Sequence, residues 1–318
     1  MSMKTVISYI KQQMEDGLYP GASLAVYQKG AWQEHYIGQS DPENHQATSA
    51  GLIYDLASVS KVVGVGTLAI FALEQGLIEL DRTFQSYQPA FRHADITIRE
   101  LLTHTSGLDP FIPNRDSLES RELKAALYQL DIRDDKAFHY TDVNFLLLGF
   151  LLEDLYGASL AQIFDREIFQ PWEMLETSFG PREIAVPTVR GKKAGLVHDP
   201  KARVLGIHAG SAGLFSTVKD LQLFLEHYLQ DDFAADLFQN FSKEAGKTRS
   251  LAWNLDGDWL DHTGYTGPFI MVNRKSQEAV IFLTNRTYNK DDRPLWIEER
   301  RKLRDVIKNC LIASNGEI

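Results

Sequence analysis

Two pairs of short apolar runs, one near each end of the chain, constrain the fold more than any other feature. Near the amino end Pro20-Gly21 opens a run over 22–27, Lys29-Gly30 offers a turn, and 31–37 alternates loosely. That is the pattern of a β-hairpin. Near the carboxyl end, apolar runs at 269–273 and 279–284 flank the polar segment 274–278 and predict a second hairpin. Between the hairpins the apolar spacing is helical at 96–102, 123–130, 143–156, 160–168 and 218–228. Strands at both ends with helices between them require an antiparallel sheet assembled from distant parts of the chain, with a mainly helical lobe inserted. The class is α+β (mixed α/β). A polar helix over 5–15 and an Arg- and Lys-rich helix that starts after Pro294, runs through 297–311 and ends near Asn315-Gly316 then flank the sheet. The expected division is one domain over 1–318, with a sheet lobe at about 1–80 and 245–318 and a helical lobe at about 81–244.

An apolar fraction of 44% over 318 residues suffices for a core of this kind. The 33 Lys and Arg against 43 Asp and Glu leave a net charge of −10, a field that repels phosphate backbones and disfavours nucleic acid as a partner. With one cysteine, Cys310, no intrachain disulfide can form, and Cys and His nowhere take the close spacing of a zinc site. No metal or cofactor is expected. Charges and glutamines interrupt 5–15 before it could serve as a signal peptide, and the apolar stretch 62–73, with Gly64, Gly66 and Thr67, is short for a bilayer. The expectation is a cytoplasmic protein without a membrane partner. The longest irregular stretch, 180–209, is punctuated by Pro and Gly, and loops of that length usually serve function.

Ser-x-x-Lys on a helix puts serine and lysine one turn apart on one face, where the amine reaches the hydroxyl and helps remove its proton. The pattern occurs at Ser8/Lys11, Ser58/Lys61 and Ser216/Lys219. Ser8 lies on a polar helix, where an exposed lysine keeps its charge. Ser216 precedes a long amphipathic helix and suits an N-cap. Ser58 follows Tyr54-Asp55-Leu56-Ala57 and opens the most apolar helix in the chain. Partial desolvation there is expected to lower the pKa of Lys61. Taken alone, Ser58 reads equally well as another N-cap.

Two further segments bear on the choice. Tyr140-Thr141-Asp142-Val143-Asn144 places a phenol and polar groups at the mouth of the apolar helix 143–156. His262-Thr263-Gly264-Tyr265 precedes the last hairpin, where glycine lets an edge strand approach a ligand closely. Singly, the first reads as a helix cap and the second as a turn.

Together, in this order and at these separations, the three segments resemble the penicillin-recognising serine hydrolases, which include class C β-lactamases, D-alanyl-D-alanine carboxypeptidases and related esterases. Their signature is Ser-x-x-Lys, then Tyr-x-Asn or a variant, then Lys/His-Thr-Gly. The stretches 101–108 and 210–217 look like the same family, so the resemblance runs from about Pro20 to Asn285. It implies a β-lactamase/transpeptidase-like fold. It also implies that Ser58 is the acylated nucleophile, Lys61 its activating amine, and Tyr140 the phenol that passes a proton to the leaving group. The backbone N–H groups of Ser58 and Tyr265 would form the oxyanion hole. His262, with Thr263 and Gly264, would sit where the family orients a substrate carboxylate, and histidine supplies charge there only partially at neutral pH. Recognition of anionic substrates should then weaken as pH rises.

One departure is that Asp142 stands where the commonest family form has asparagine. Asn144 could supply the missing amide, although a helix start turns it another way; Asp142 could pair with Lys61; or Asp142 could cap the helix that follows. Thr103-His104-Thr105-Ser106-Gly107 reads as structural, a helix ending at a glycine, and Arg and Lys elsewhere read as a solvated face. The function expected is hydrolysis of a small ester, a D-Ala-type peptide amide or a β-lactam through a Ser58 acyl-enzyme. Esterase or peptidase is favoured, because a periplasmic or secreted β-lactamase needs an export signal. The alternative is a non-catalytic penicillin- or wall-peptide-binding protein, or a regulator, on the same scaffold.

Overall fold

The computed structural model describes residues 2–244 and 247–315. Along the chain, β1 (Gly21–Gln28), β2 (Ala31–Asp41) and β3 (Gln46–Ala47) come first, and β4 (Tyr54–Asp55), β5 (Ser178–Phe179) and β6 (Leu214–Ser216) are short and scattered. The last four are β7 (Asn254–Asp256), β8 (Trp259–Thr263), β9 (Phe269–Asn273) and β10 (Glu278–Thr284). Lys29 and Gly30, at φ of 53° and 81°, close the first hairpin. Two successive positive φ values match the right-handed twist of the flanking strands. The two hairpins pair with each other through β1 and β10, from Ala22 opposite Thr284 to Tyr27 opposite Ala279. The resulting seven-stranded antiparallel sheet has the order β3-β2-β1-β10-β9-β8-β7.

Alternate residues of the central strands serve two cores. Leu24, Val26, Val280 and Phe282 face a layer built by the terminal helices Met3–Glu15 and Arg293–Asn315, where Val6, Ile10, Trp296, Leu303 and Ile307 are buried. Ala25, Ala279, Ile281 and Leu283 face the main core. The helix Val218–Gln230 lies on that second face, with Trp32 donating to Glu226 at 2.7 Å and Gln222 to Glu34 at 2.7 Å. Its sequence placed it in the helical lobe, because an apolar stripe does not say which surface covers it. The expected lobe boundary at 245 and the helix stop at Gly316 lie outside the described residues.

The helical lobe carries a small sheet that the sequence did not disclose, in the order β4-β6-β5. Ser216 sits in it rather than capping a helix; the cap is Thr217, whose hydroxyl accepts from the Asp220 N–H at 3.2 Å. The helix Ile98–Thr103 ends at His104 in the left-handed region, three residues before the glycine expected to stop it. The apolar stretch read at 62–73 is part of a continuous helical segment, Ala57–Glu74, which is long and apolar enough to cross a membrane yet is 78% buried within the protein.

Candidate active site

Ser58 lies in a 3-10 turn, Ala57–Val59, between β4 and the buried helix. Ala57, at φ 45°, adopts a left-handed conformation that costs a non-glycine residue roughly 1–3 kcal/mol. Asp55 secures it. One carboxylate oxygen accepts from the Ala57 N–H at 2.8 Å and the other from the His198 N–H at 2.8 Å, which ties the turn to the long loop. Burial pushes the Asp55 carboxyl up to about 6, against the pull of those two bonds. Directly after Lys61 the helix widens into a π-turn, Val62–Gly66, a feature frequent at functional sites.

Lys61 is wholly buried and its three donors have three acceptors: Ser58 Oγ at 2.9 Å, Asp142 Oδ1 at 2.6 Å and the Ser211 carbonyl at 2.9 Å. Three donors are what an ammonium carries. Burial works to remove the charge, but the Asp142 carboxylate, followed by the Tyr140 oxygen, outweighs it and holds Lys61 above the usual lysine range. This reverses the lowering expected from desolvation alone. Asp142 makes no cap bond to its helix. Its second oxygen meets Lys201 Nζ at 2.9 Å. Burial would raise the Asp142 carboxyl, and the Lys61 and Lys201 ammonium groups instead hold it well below the usual range. Lys201 also lies 3.7 Å from Asp199, so Lys61 and Lys201 face the two carboxylates of Asp142 and Asp199.

Tyr140 is partly exposed, with Lys61 Nζ 5.1 Å from its ring centre. Its far face rests on His104, ring centres 4.6 Å apart, and His104 stacks in turn on Phe145. Asn144 belongs to this support. It is fully buried and bonded to Ser106 Oγ at 2.7 Å and His104 Nδ1 at 3.1 Å, so it does not line the cavity and supplies no amide to a substrate. The stretch around His104, read as structural, therefore seats the phenol.

The strand β8 brings the third motif against the Ser58 turn. Any Cβ on Gly264 would fall 2.6 Å from the Leu56 carbonyl oxygen, so only glycine permits the approach. Thr266 Oγ1 donates to the Asp55 carbonyl at 3.1 Å from the same segment. Tyr265 is held by a bond from its hydroxyl to Asp291 at 2.5 Å and by the Arg286 guanidinium, which donates to its carbonyl at 2.7 Å. His262 is buried with neither ring nitrogen hydrogen-bonded among the described residues. Burial, then the charges of Lys61 and Arg249, hold its pKa well below the usual histidine range. The partial positive charge expected of His262 is therefore absent at neutral pH.

Ser58, Tyr140, Asp142, His262, Thr263, Gly264 and Tyr265 line one cavity of 1190 Å³ at the boundary of the two lobes. The long stretch read as irregular lines it too, through His198 in the loop and Lys201 in the short helix Pro200–Leu205. Sequence reading missed Lys201, Ser211, Arg249 and Arg300. Lys201 sits in the short helix Pro200–Leu205, within a stretch that the sequence presents as irregular, and only its distance to Asp142 reveals it.

A family model described as Beta-lactamase matches residues 6–304. A protein of Escherichia coli K12 that carries the name D-alanyl-D-alanine carboxypeptidase is 24% identical, the match covering 88% of this chain and 81% of the relative. A solved beta-lactamase from Sulfitobacter sp. EE-36 has the same fold, with a TM-score of 0.80 at 18% identity and 99% of each chain covered. EstCE1, described as a hydrolase with promiscuous acyltransferase activity, gives a TM-score of 0.76 at 19% identity over 95% of this chain and 97% of its own. The structural likenesses establish the fold, and the family match extends over nearly the whole chain. This chain belongs to the beta-lactamase family and is one of its serine hydrolases.

Proposed function

We propose that the protein hydrolyses a small ester or a D-Ala-type peptide amide through an acyl-enzyme on Ser58, with a β-lactam as a less favoured donor. The observation that carries this reading is the Lys61 ammonium, saturated by Asp142, Ser211 and Ser58 itself. An ammonium that donates to Ser58 Oγ cannot also take its proton, so it positions the hydroxyl and leaves the hydrogen for another acceptor. Tyr140 fills that role. As Ser58 Oγ bonds to the carbonyl carbon, its proton passes to the Tyr140 oxygen and the Tyr140 proton passes to the leaving group, whose bond to the carbon breaks. Water then reverses the sequence and frees the acid. Charge on the carbonyl oxygen in the tetrahedral state is met by the main-chain N–H groups of Ser58 and Tyr265.

The name of the Escherichia coli relative and the description of EstCE1 agree with a peptide or ester donor. Incubation with a fluorophosphonate, a fluorescent penicillin and a D-Ala-D-Ala peptide, read by intact mass and product release, tests the proposal. One covalent adduct and release of D-alanine or alcohol support it. No adduct with any of the three favours a non-catalytic binding role.

A further inference from the structure

Asp55 ends β4 just before the Ser58 turn and is buried. Its main chain is fixed from behind, because Asp55 pairs with Phe215 of β6 and the following Leu56 N–H donates to the Leu214 carbonyl at 2.9 Å. Three bonds run from this fixed residue into the site. Oδ1 accepts from the Ala57 N–H at 2.8 Å, which holds the left-handed turn that presents Ser58. Oδ2 accepts from the His198 N–H at 2.8 Å, and the His198 ring stacks on Tyr265 with centres 5.6 Å apart. The Asp55 carbonyl accepts from Thr266 Oγ1, next to Tyr265, at 3.1 Å. The turn that carries the Ser58 N–H and the segment that carries the Tyr265 N–H are thus joined through one residue, by two routes on the Tyr265 side. Among the described residues no cation forms an ion pair with Asp55, so main-chain donors alone hold a buried charge that is costly to keep. The charge has a use in this place. A carboxylate accepts from two N–H groups at once, whereas an amide or a protonated carboxyl turns a donor toward one of them.

We propose that Asp55 is the positioning residue of the oxyanion hole: it sets the distance between the Ser58 and Tyr265 N–H groups, and that distance is lost when its carboxylate takes up a proton. Asp55 acts only through Ala57, His198 and Thr266. The inference rests on the reading of those two N–H groups as the oxyanion hole, and it adds an acid limit to their use. Burial, with a smaller push from the Asp199 carboxylate on the long stretch, brings the Asp55 carboxyl up to about 6, so the clamp is whole above that pH and opens as pH falls through it. The other titrating group that faces it from that stretch is the His198 ring, which burial holds below the usual histidine value. His198→Phe removes that ring's titration and keeps both the N–H and an aromatic face for Tyr265.

Amide nitrogen–proton spectra of the full chain across pH 5 to 8 read the clamp without any chemistry at Ser58, and fluorophosphonate labelling rates over the same range read its effect on reaction. The amide signals of Ala57, Ser58, His198 and Tyr265 should move together with one midpoint near pH 6, retained in His198→Phe and absent in Asp55→Asn. Labelling should fall by roughly tenfold or more below that midpoint, and Asp55→Asn should be slower than wild type by a similar factor at pH 7.5. With p-nitrophenyl acetate the loss should fall on kcat rather than KM, because the donors act on charge that develops only in the tetrahedral state. If Asp55→Asn fails to fold by circular dichroism, Thr266→Val, which removes one bond and keeps the shape, is used instead; labelling at pH 7.5 should slow by roughly threefold or more with the midpoint retained. Separate midpoints for the four amides, or equal labelling by a folded variant and the wild type, overturns the proposal. A wild-type protein whose four amides titrate together but which takes no adduct at Ser58 would sink the hydrolase reading and leave the clamp standing.

Discussion

The Asp142 carboxylate lies 2.6 Å from the Lys61 ammonium, and that contact sets the protonation state of the site. Asp142 is held below its unfolded value of about 3.9, so its contribution to stability is full above that pH and fades as pH falls through the folded value. Lys61 is held above its unfolded value of about 10.4, so its contribution is full below that pH and fades as pH rises through the raised value. The pair therefore stabilises the fold across the whole neutral range. Asp142→Asn should cost about 3 kcal/mol in denaturant melts at pH 7. Without the carboxylate, burial governs Lys61, and the alkaline fall in acylation rate should begin at least about one pH unit lower than in the wild type. Unchanged stability together with an unchanged alkaline limb would contradict the assignment.

Lys201 gives the cluster its second positive charge. Lys201→Met leaves Lys61 alone with the Asp142 and Asp199 carboxylates, and the cluster gains one net negative charge, which opposes the negative charge that the proposed acylation develops. Acylation should slow by roughly tenfold or more. The double variant Asp142→Asn/Lys201→Met restores the wild-type net charge and should recover most of that loss in a double-mutant cycle. A double variant slower than both singles would show that charge balance is not what Lys201 supplies.

The two hairpins were legible because each is a local pattern, an apolar alternation with a Lys-Gly turn or a polar gap. The pairing of β1 with β10 followed from topology. The meeting of Ser58, Lys61 and Tyr140 at one cavity was equally legible, since Ser58 and Lys61 sit one turn apart and Tyr140 just precedes an apolar helix. What escaped was set by distance in space alone. Lys201 and Asp142 are far apart in the chain, and nothing near either predicts their contact. The state of Lys61 was misread for the same reason: desolvation follows from an apolar neighbourhood, whereas the stronger opposing charge comes from another segment. Asn144 and His262 were read by motif position, and burial among aromatic or basic neighbours determined what each can do.

His262 should stay neutral in the free protein. Nitrogen-15 shifts of its ring should show no titration near pH 6.5, and the affinity for a carboxylate-bearing substrate should not weaken between pH 6 and 7.5. A buried neutral histidine binds fewer protons than the unfolded chain. Its contribution therefore becomes destabilising as pH falls below about 6.5, by about 1.4 kcal/mol per unit, and His262→Gln should lose less stability on that descent. A midpoint near 6.5 would restore the charge role.

Gly264 tests how closely the end of β8 must approach the Ser58 turn. A methyl group 2.6 Å from the Leu56 carbonyl oxygen has to push the strand end away. Gly264→Ala should cost about 1–3 kcal/mol of stability and about a hundredfold in kcat/KM. Full activity in a folded variant would show that the approach is not needed.

The most direct measurement is peptide mapping of the protein after reaction with a fluorophosphonate, in wild type and in Ser58→Ala. A single adduct on Ser58 is expected, and it should disappear in the variant while the fold is retained. An adduct on Ser8 or Ser216, or one that survives Ser58→Ala, would contradict it.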